Sequence, residues 1–195
     1  MGIIELYDIY KKFPVVSTDT RNITKDSIFF FFFFYNFNAN NFAGKVFENG
    51  AAYAVIDEKE YLKDERYILV NNVLSSLQQL AAYHRKQLKI PFIGITGTNG
   101  KTTTKELVYS VLSAKYKTLA TKGNLNNHIG VPLTILSVTD EYEMAVIEMG
   151  ANHIGEIGEL CEISKPDFGI ITNIGKAHLE GFGGIDGVIK TKNDL

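Results

Sequence analysis

Phe92-Ile93-Gly94-Ile95-Thr96-Gly97-Thr98-Asn99-Gly100-Lys101-Thr102-Thr103-Thr104 is the stretch that decides how this chain is read. An apolar run predicts a buried strand. A glycine-bearing turn follows, then Lys-Thr-Thr and a helical pattern. That is the layout of a phosphate-binding loop, in which turn amides and a helix N-terminus face a polyphosphate. Gly97 and Gly100 permit the tight turn. Lys101 is placed to reach β- and γ-phosphates, and the Thr102 hydroxyl to meet Mg²⁺. The spacing departs from the usual one. Ile95 stands where the first glycine is expected, and Gly97 serves in its place. The alternative is a strand-to-helix turn that binds nothing.

Beyond the loop, strand and helix alternate, which predicts a parallel sheet with helices on both faces. Thr103 to Leu112 is the expected helix, with Leu107, Val108, Val111 and Leu112 inward. Strands are expected at 116–120, 144–149 and 168–172, and helices at 131–136, 156–163 and from Val188. Ligands in open α/β sheets bind beyond the carboxyl ends of strands. Glu148 ends one such strand, and Asn173 and His178 follow another. With Lys101 and Thr102 they form a candidate nucleotide and metal site, because Mg²⁺ takes carboxylate, hydroxyl and phosphate oxygens.

Before the loop, Val73 to Leu88 reads as an amphipathic helix ended by Pro91, with His84 as an interface residue. A domain boundary follows, giving domains 1–88 and 89–195. Residues 3–10 have helical spacing. Val15 to Thr18, Ala52 to Ile56 and Tyr67 to Val70 read as strands, and Asn40 or Asn41 as the cap of a helix through Phe42, Ala43, Val46 and Phe47. Asp19-Thr20-Arg21 is a polar turn whose guanidinium suits phosphate, or is simply a surface arginine. Six consecutive phenylalanines, Phe29 to Phe34, need pockets on both faces of their strand.

Three further stretches carry a resemblance. They are Gly123-Asn124-Leu125-Asn126-Asn127-His128-Ile129-Gly130-Val131-Pro132, Glu148-Met149-Gly150-Ala151-Asn152-His153 and Thr172-Asn173-Ile174-Gly175-Lys176-Ala177-His178-Leu179-Glu180-Gly181-Phe182-Gly183. With the loop from Thr96 to Thr103, they resemble the Mur ligases, ATP-dependent amide ligases of peptidoglycan synthesis. They look most like the member that joins D-Ala-D-Ala to UDP-N-acetylmuramoyl-tripeptide through an acyl phosphate. The resemblance implies an α/β fold, with a small N-terminal domain for the UDP end of the substrate and a P-loop domain for ATP.

By the same resemblance, residues 97–103 (Gly97, Thr98, Asn99, Gly100, Lys101, Thr102 and Thr103) hold the nucleotide. Thr102, Glu148 and His178 hold Mg²⁺, and Lys101, His178 and Lys192 serve catalysis. Lys192 matches a lysine carbamylated by CO₂. Thr20, Arg21, Asn126 and Asn127 match substrate-contacting positions. Phe31 to Tyr35 and Ala39 depart from the family pattern, which carries glycines and a lysine there. The family continues well past the equivalent of Lys192 into a longer central domain and a third domain. The chain is therefore expected to be an incomplete member, inactive in ligation alone. A non-catalytic nucleotide-binding module, another Mur ligase and a folylpolyglutamate-type ligase are the competing readings.

The bulk numbers fit this picture. Twenty basic and twenty-two acidic residues give a net charge of −2, which points to neither nucleic acid nor a membrane surface. One cysteine, Cys161, fits a reducing compartment. The N-terminus has no signal-peptide layout, so a cytoplasmic protein is expected. A monomer is also expected.

Overall fold

The computed structural model describes residues 1–32, 45–175 and 179–195. The chain packs as two compact units, Met1–Tyr83 and His84–Leu195.

The first unit opens with α1 (Ile3–Lys12), which buries Leu6 and Tyr10. Glu5 accepts the Gly2 amide at 2.8 Å and so closes the helix start. Four short strands follow: β1 (Val15–Ser17), β2 (Ser27–Phe30), β3 (Tyr53–Ile56) and β4 (Tyr67–Leu69). They form one parallel sheet in the order β1-β2-β3-β4. Every residue of β2 is buried, as a parallel strand covered on both faces requires. Phe29 and Phe31 point to the same face, their rings 4.8 Å apart edge to face. They join a core with Val46, Ala54, Ile56 and Tyr67. The phenylalanine run is thus only partly strand: β2 ends at Phe30, and Phe31 continues the pairing by donating its amide to Val55 O. Phe33 to Tyr35, Ala39, and the expected cap and start of the helix through Phe42 lie outside the described residues.

Helix α2 (Val73–Gln87) begins in the first unit and ends in the second. The second unit holds β5 (Phe92–Thr96), α3 (Lys101–Ser113), β6 (Thr118–Ala120), α4 (Gly130–Leu136), β7 (Met144–Glu148), α5 (Glu156–Ser164), β8 (Phe168–Ile171), α6 (Leu179–Phe182) and α7 (Ile185–Lys192). Its sheet is parallel with the order β6-β7-β5-β8. The chain leaves β5 in one direction to build β6 and β7, then crosses to the other side for β8. Right-handed crossovers therefore put α3 on one face and α4 with α5 on the other. The order reverses at β5, and the crevice of such a sheet opens at that point.

One expectation is corrected. Val108 and Leu112 of α3 are half-buried, but Leu107 and Val111 are 64% and 73% exposed. The helix carries two adjacent apolar stripes, and the sheet takes only the one that also includes Lys105, which is 1% exposed. Among the described residues, no helix is long and apolar enough to cross a membrane.

Candidate functional site

The loop after β5 is shaped by its glycines and by the chain that leaves β8. Gly97 has φ +144°, and a Cβ there would lie 2.0 Å from Thr172 Oγ1. Gly100 has φ +77° with open space around it, so it is required by conformation alone. Five hydrogen bonds lace the loop to the chain after β8. The Thr98 amide donates to Asn173 O at 3.0 Å, and the Asn99 amide to Asn173 Oδ1 at 3.1 Å. Thr172 Oγ1 and Asn173 Nδ2 donate to Asn99 O at 2.6 and 3.1 Å. The Gly175 amide donates to Thr98 Oγ1 at 2.9 Å.

Past this lacing, α3 begins. The amides of Gly100, Lys101, Thr102 and Thr103 meet no acceptor among the described residues; the Thr104 amide is the first to find one, at Gly100 O. Open first-turn amides at the positive end of a helix dipole form an anion cradle. Lys101 Nζ folds over the loop and donates to Gly97 O at 2.9 Å and Thr98 O at 3.1 Å. Thr102 is exposed beside it.

Glu148, the last residue of β7, pairs in register with Ile95, two residues before Gly97. It is 1% exposed. Its Oε1 accepts Asn126 Nδ2 at 2.8 Å, and its Oε2 is buried without a partner among the described residues. An orphaned carboxylate oxygen at the end of the strand paired with the one that leads into an anion cradle fits a hard cation with oxygen ligands. Among the described residues no three His, Cys, Asp or Glu side chains cluster as a metal site. Mg²⁺ commonly takes one or two protein oxygens and completes its shell from phosphate and water. His178, expected at the same site, lies outside the described residues.

Lys192, at the end of α7, is 3% exposed and donates from Nζ to Thr96 Oγ1 at 3.3 Å. The Thr96 hydroxyl donates in turn to Met149 O at 2.8 Å. Burial, with a smaller push from the Lys101 charge, lowers the Lys192 amine to about 8, and Glu156 opposes this weakly. At pH 7 about a tenth of such an amine is neutral, far more than of a solvated lysine. The sequence missed Thr96, which reads as an ordinary strand residue although it touches Lys192.

The structure places the remaining expected residues as follows. Asn126 holds Glu148, as described. Asn127 Oδ1 accepts the amides of Ile129 and Gly130 at 3.0 and 2.9 Å and caps the entry to α4. In the first unit, the Arg21 guanidinium forks onto Asp19 through Nε at 2.9 Å and Nη2 at 2.7 Å. That bonding lowers the Asp19 carboxyl to about 2. Thr20 is half-buried in the same turn.

With this geometry in hand, comparison with known proteins is informative. Residues 95–195 match the Mur ligase middle domain. The chain is 39% identical over 182 residues to the UDP-N-acetylmuramoyl-tripeptide--D-alanyl-D-alanine ligase of Bacillus subtilis (strain 168), covering 92% of this chain and 40% of that protein. The enzyme of the same name from Escherichia coli (strain K12) is 39% identical over 180 residues, with the same coverage. A crystal structure of MurF from Acinetobacter baumannii superposes with a TM-score of 0.84 at 40% identity, covering 92% of this chain and 40% of that one. MurF ligase from Thermotoga maritima in complex with ADP superposes with a TM-score of 0.83 at 32% identity, covering 92% and 42%. The chain spans about two fifths of the length of these relatives. The matched half of the sequence carries the glycine loop, Glu148 and Lys192, and the chain belongs to the Mur ligase family.

Proposed function

We propose that this chain supplies the nucleotide- and metal-holding part of an ATP-dependent amide ligase of the MurF type. That enzyme joins D-Ala-D-Ala to UDP-N-acetylmuramoyl-tripeptide through an acyl phosphate. The names of the relatives support the substrates, and the solved ADP complex of one relative supports the nucleotide. The observation that carries the reading is that β7 ends, in register with Ile95 of β5, on a buried Glu148 oxygen without a described partner, while β5 runs on into the loop that leads to the open amides of α3. Residues 89–195 take the ATP role and residues 1–88 the UDP end, with Thr20 and Arg21 facing it. A single cysteine suits a cytoplasmic protein.

Each residue then has a defined task. The amides of residues 100–103 cradle the phosphates, and Lys101 exchanges its loop carbonyls for phosphate oxygens. Thr102 and Glu148 would hold Mg²⁺, with Asn126 fixing the carboxylate rotamer. The ion supplies charge neutralisation on the phosphoryl group. Lys192 is the residue that would carry a carbamate: its neutral amine attacks CO₂, forms the N–C bond and releases a proton. The cation becomes an anion, and its repulsion from the Lys101 charge becomes attraction.

Calorimetric titration of the chain with ADP, with and without Mg²⁺, tests the nucleotide site. Binding strengthened by Mg²⁺ is expected in the unmodified chain. Equal binding with and without the metal would remove Glu148 from the reading. Ligation itself is tested on a form of the relatives' full length, supplied with ATP, Mg²⁺, UDP-tripeptide and D-Ala-D-Ala.

A further inference from the structure

Lys105 is a charged side chain that the proposed site does not use. It lies one helical turn after Lys101 on the same face of α3 and is 1% exposed. Burying an ammonium is costly, and an apolar side chain of similar length would fill the space at less cost. Its Nζ donates to Thr121 O at 2.8 Å and pairs with Glu106 Oε1 at 2.8 Å. Glu106 is on the solvent side, 61% exposed. The inward bond is therefore the specific one.

Thr121 is the residue at which the β6–β7 ladder runs out. The last backbone pair is Ala120 with Val146, and the Thr121 amide still donates to Val146 O at 3.0 Å. Beyond it, the ladder is continued by a side chain: Thr121 Oγ1 accepts the Glu148 amide at 3.0 Å. Thr121 also starts the loop that brings Asn126 onto Glu148 Oε1, and the Gly150 amide pins that loop by donating to Asn126 O at 2.7 Å. Glu148 is thus held at its backbone by the first residue of the loop and at its carboxylate by the middle of it. The root of that loop is tied to α3 by Lys105.

We infer that Lys105 is a positioning residue. By fixing Thr121, it couples the helix that carries the phosphate cradle to the strand end that presents the Glu148 carboxylate. This rests on the nucleotide and metal reading above. Lys105 touches neither phosphate nor metal in this account. Its removal should spare the cradle and impair the metal.

The test compares ADP binding with and without Mg²⁺ by calorimetry, on the chain and on variants whose folding is checked by circular dichroism. Lys105→Met should keep its metal-free affinity within about two-fold and lose about ten-fold or more of the Mg²⁺ enhancement, as supporting groups of metal ligands do. Thr121→Val should lose the enhancement similarly, and Thr121→Ser should retain it. The double variant Lys105→Met/Thr121→Val should be no worse than either alone, because both cut one chain of contacts. A folded Lys105→Met with unchanged enhancement would overturn the inference, as would losses that multiply in the double variant. If Lys105→Met does not fold, the Thr121 pair decides: normal enhancement in Thr121→Val overturns it. Failure of the unmodified chain to bind ADP in either condition overturns the nucleotide reading, and this inference with it.

Discussion

Both units contain a four-stranded parallel sheet, yet among the described residues only the second gathers buried charge around its sheet. The first sheet is wound in one direction, β1 to β4 in sequence order, so no neighbouring crossovers part at its carboxyl edge. Its charged turn stays in water: Arg21 is paired with Asp19, and its side chain is 88% exposed. The second sheet reverses at β5, and Lys105, Glu148 and Lys192 are all nearly inaccessible around that strand or its neighbours. Strand order, more than composition, decides where a chain of this kind concentrates its electrostatics.

The largest test of that contrast is Glu148→Gln. It should reduce Mg²⁺-dependent ADP binding by about 100-fold or more, above the loss typical of a merely supporting group. A modest effect in the same titration would mean that the reversal point is not where the metal sits. Next comes Gly97→Ala, expected to cost about 2–3 kcal/mol in urea unfolding, because the new methyl meets Thr172 Oγ1. Gly100→Ala has open space and pays only for its left-handed backbone, about 1–2 kcal/mol. Equal costs would show that the lacing to β8 does not shape the loop.

A pH effect follows from His84 in the second unit. Its ring is buried and its Nε2 lies 2.8 Å from Val138 O, with burial pushing the imidazole below its usual range. The unfolded chain takes up a proton at the ordinary histidine value, and the folded chain resists it. Stability is therefore full above that value and falls as pH drops through it. Urea midpoints should decline between about pH 7.5 and 5.5, and His84→Gln should flatten the decline. The smallest effect is expected in the first unit. Arg21→Ala should leave the melting temperature unchanged, since its ion pair is solvated. A clear drop would show that the first sheet, too, depends on its charged turn.

The sequence was most informative where backbone chemistry is restrictive. The β5 strand, Gly97, Gly100 and Lys101 could be read because a strand, a positive-φ turn and a helix start each demand particular residues. Glu148 was legible from its place at a strand end. The inner face of α3 was not. Val108 with Leu112 and Leu107 with Val111 are equivalent on a helical wheel, and the charge of Lys105 pointed the wrong way. Lys192 was reached only through the resemblance, because its contact with Thr96 joins residues distant in sequence. Asn126 and Asn127 sit side by side, but only the fold shows that one steadies a carboxylate and the other caps a helix.

The resting position of Lys101 has a consequence for selectivity. Its ammonium already satisfies two backbone carbonyls of its own turn. A ligand offering neutral oxygens would trade like for like and gain nothing by prying it away. An anionic ligand adds the attraction of opposite charges, which a neutral one does not offer, so it favours the exchange. In the proposed site, the folded-back lysine would act as a threshold that free nucleosides and sugars would not cross.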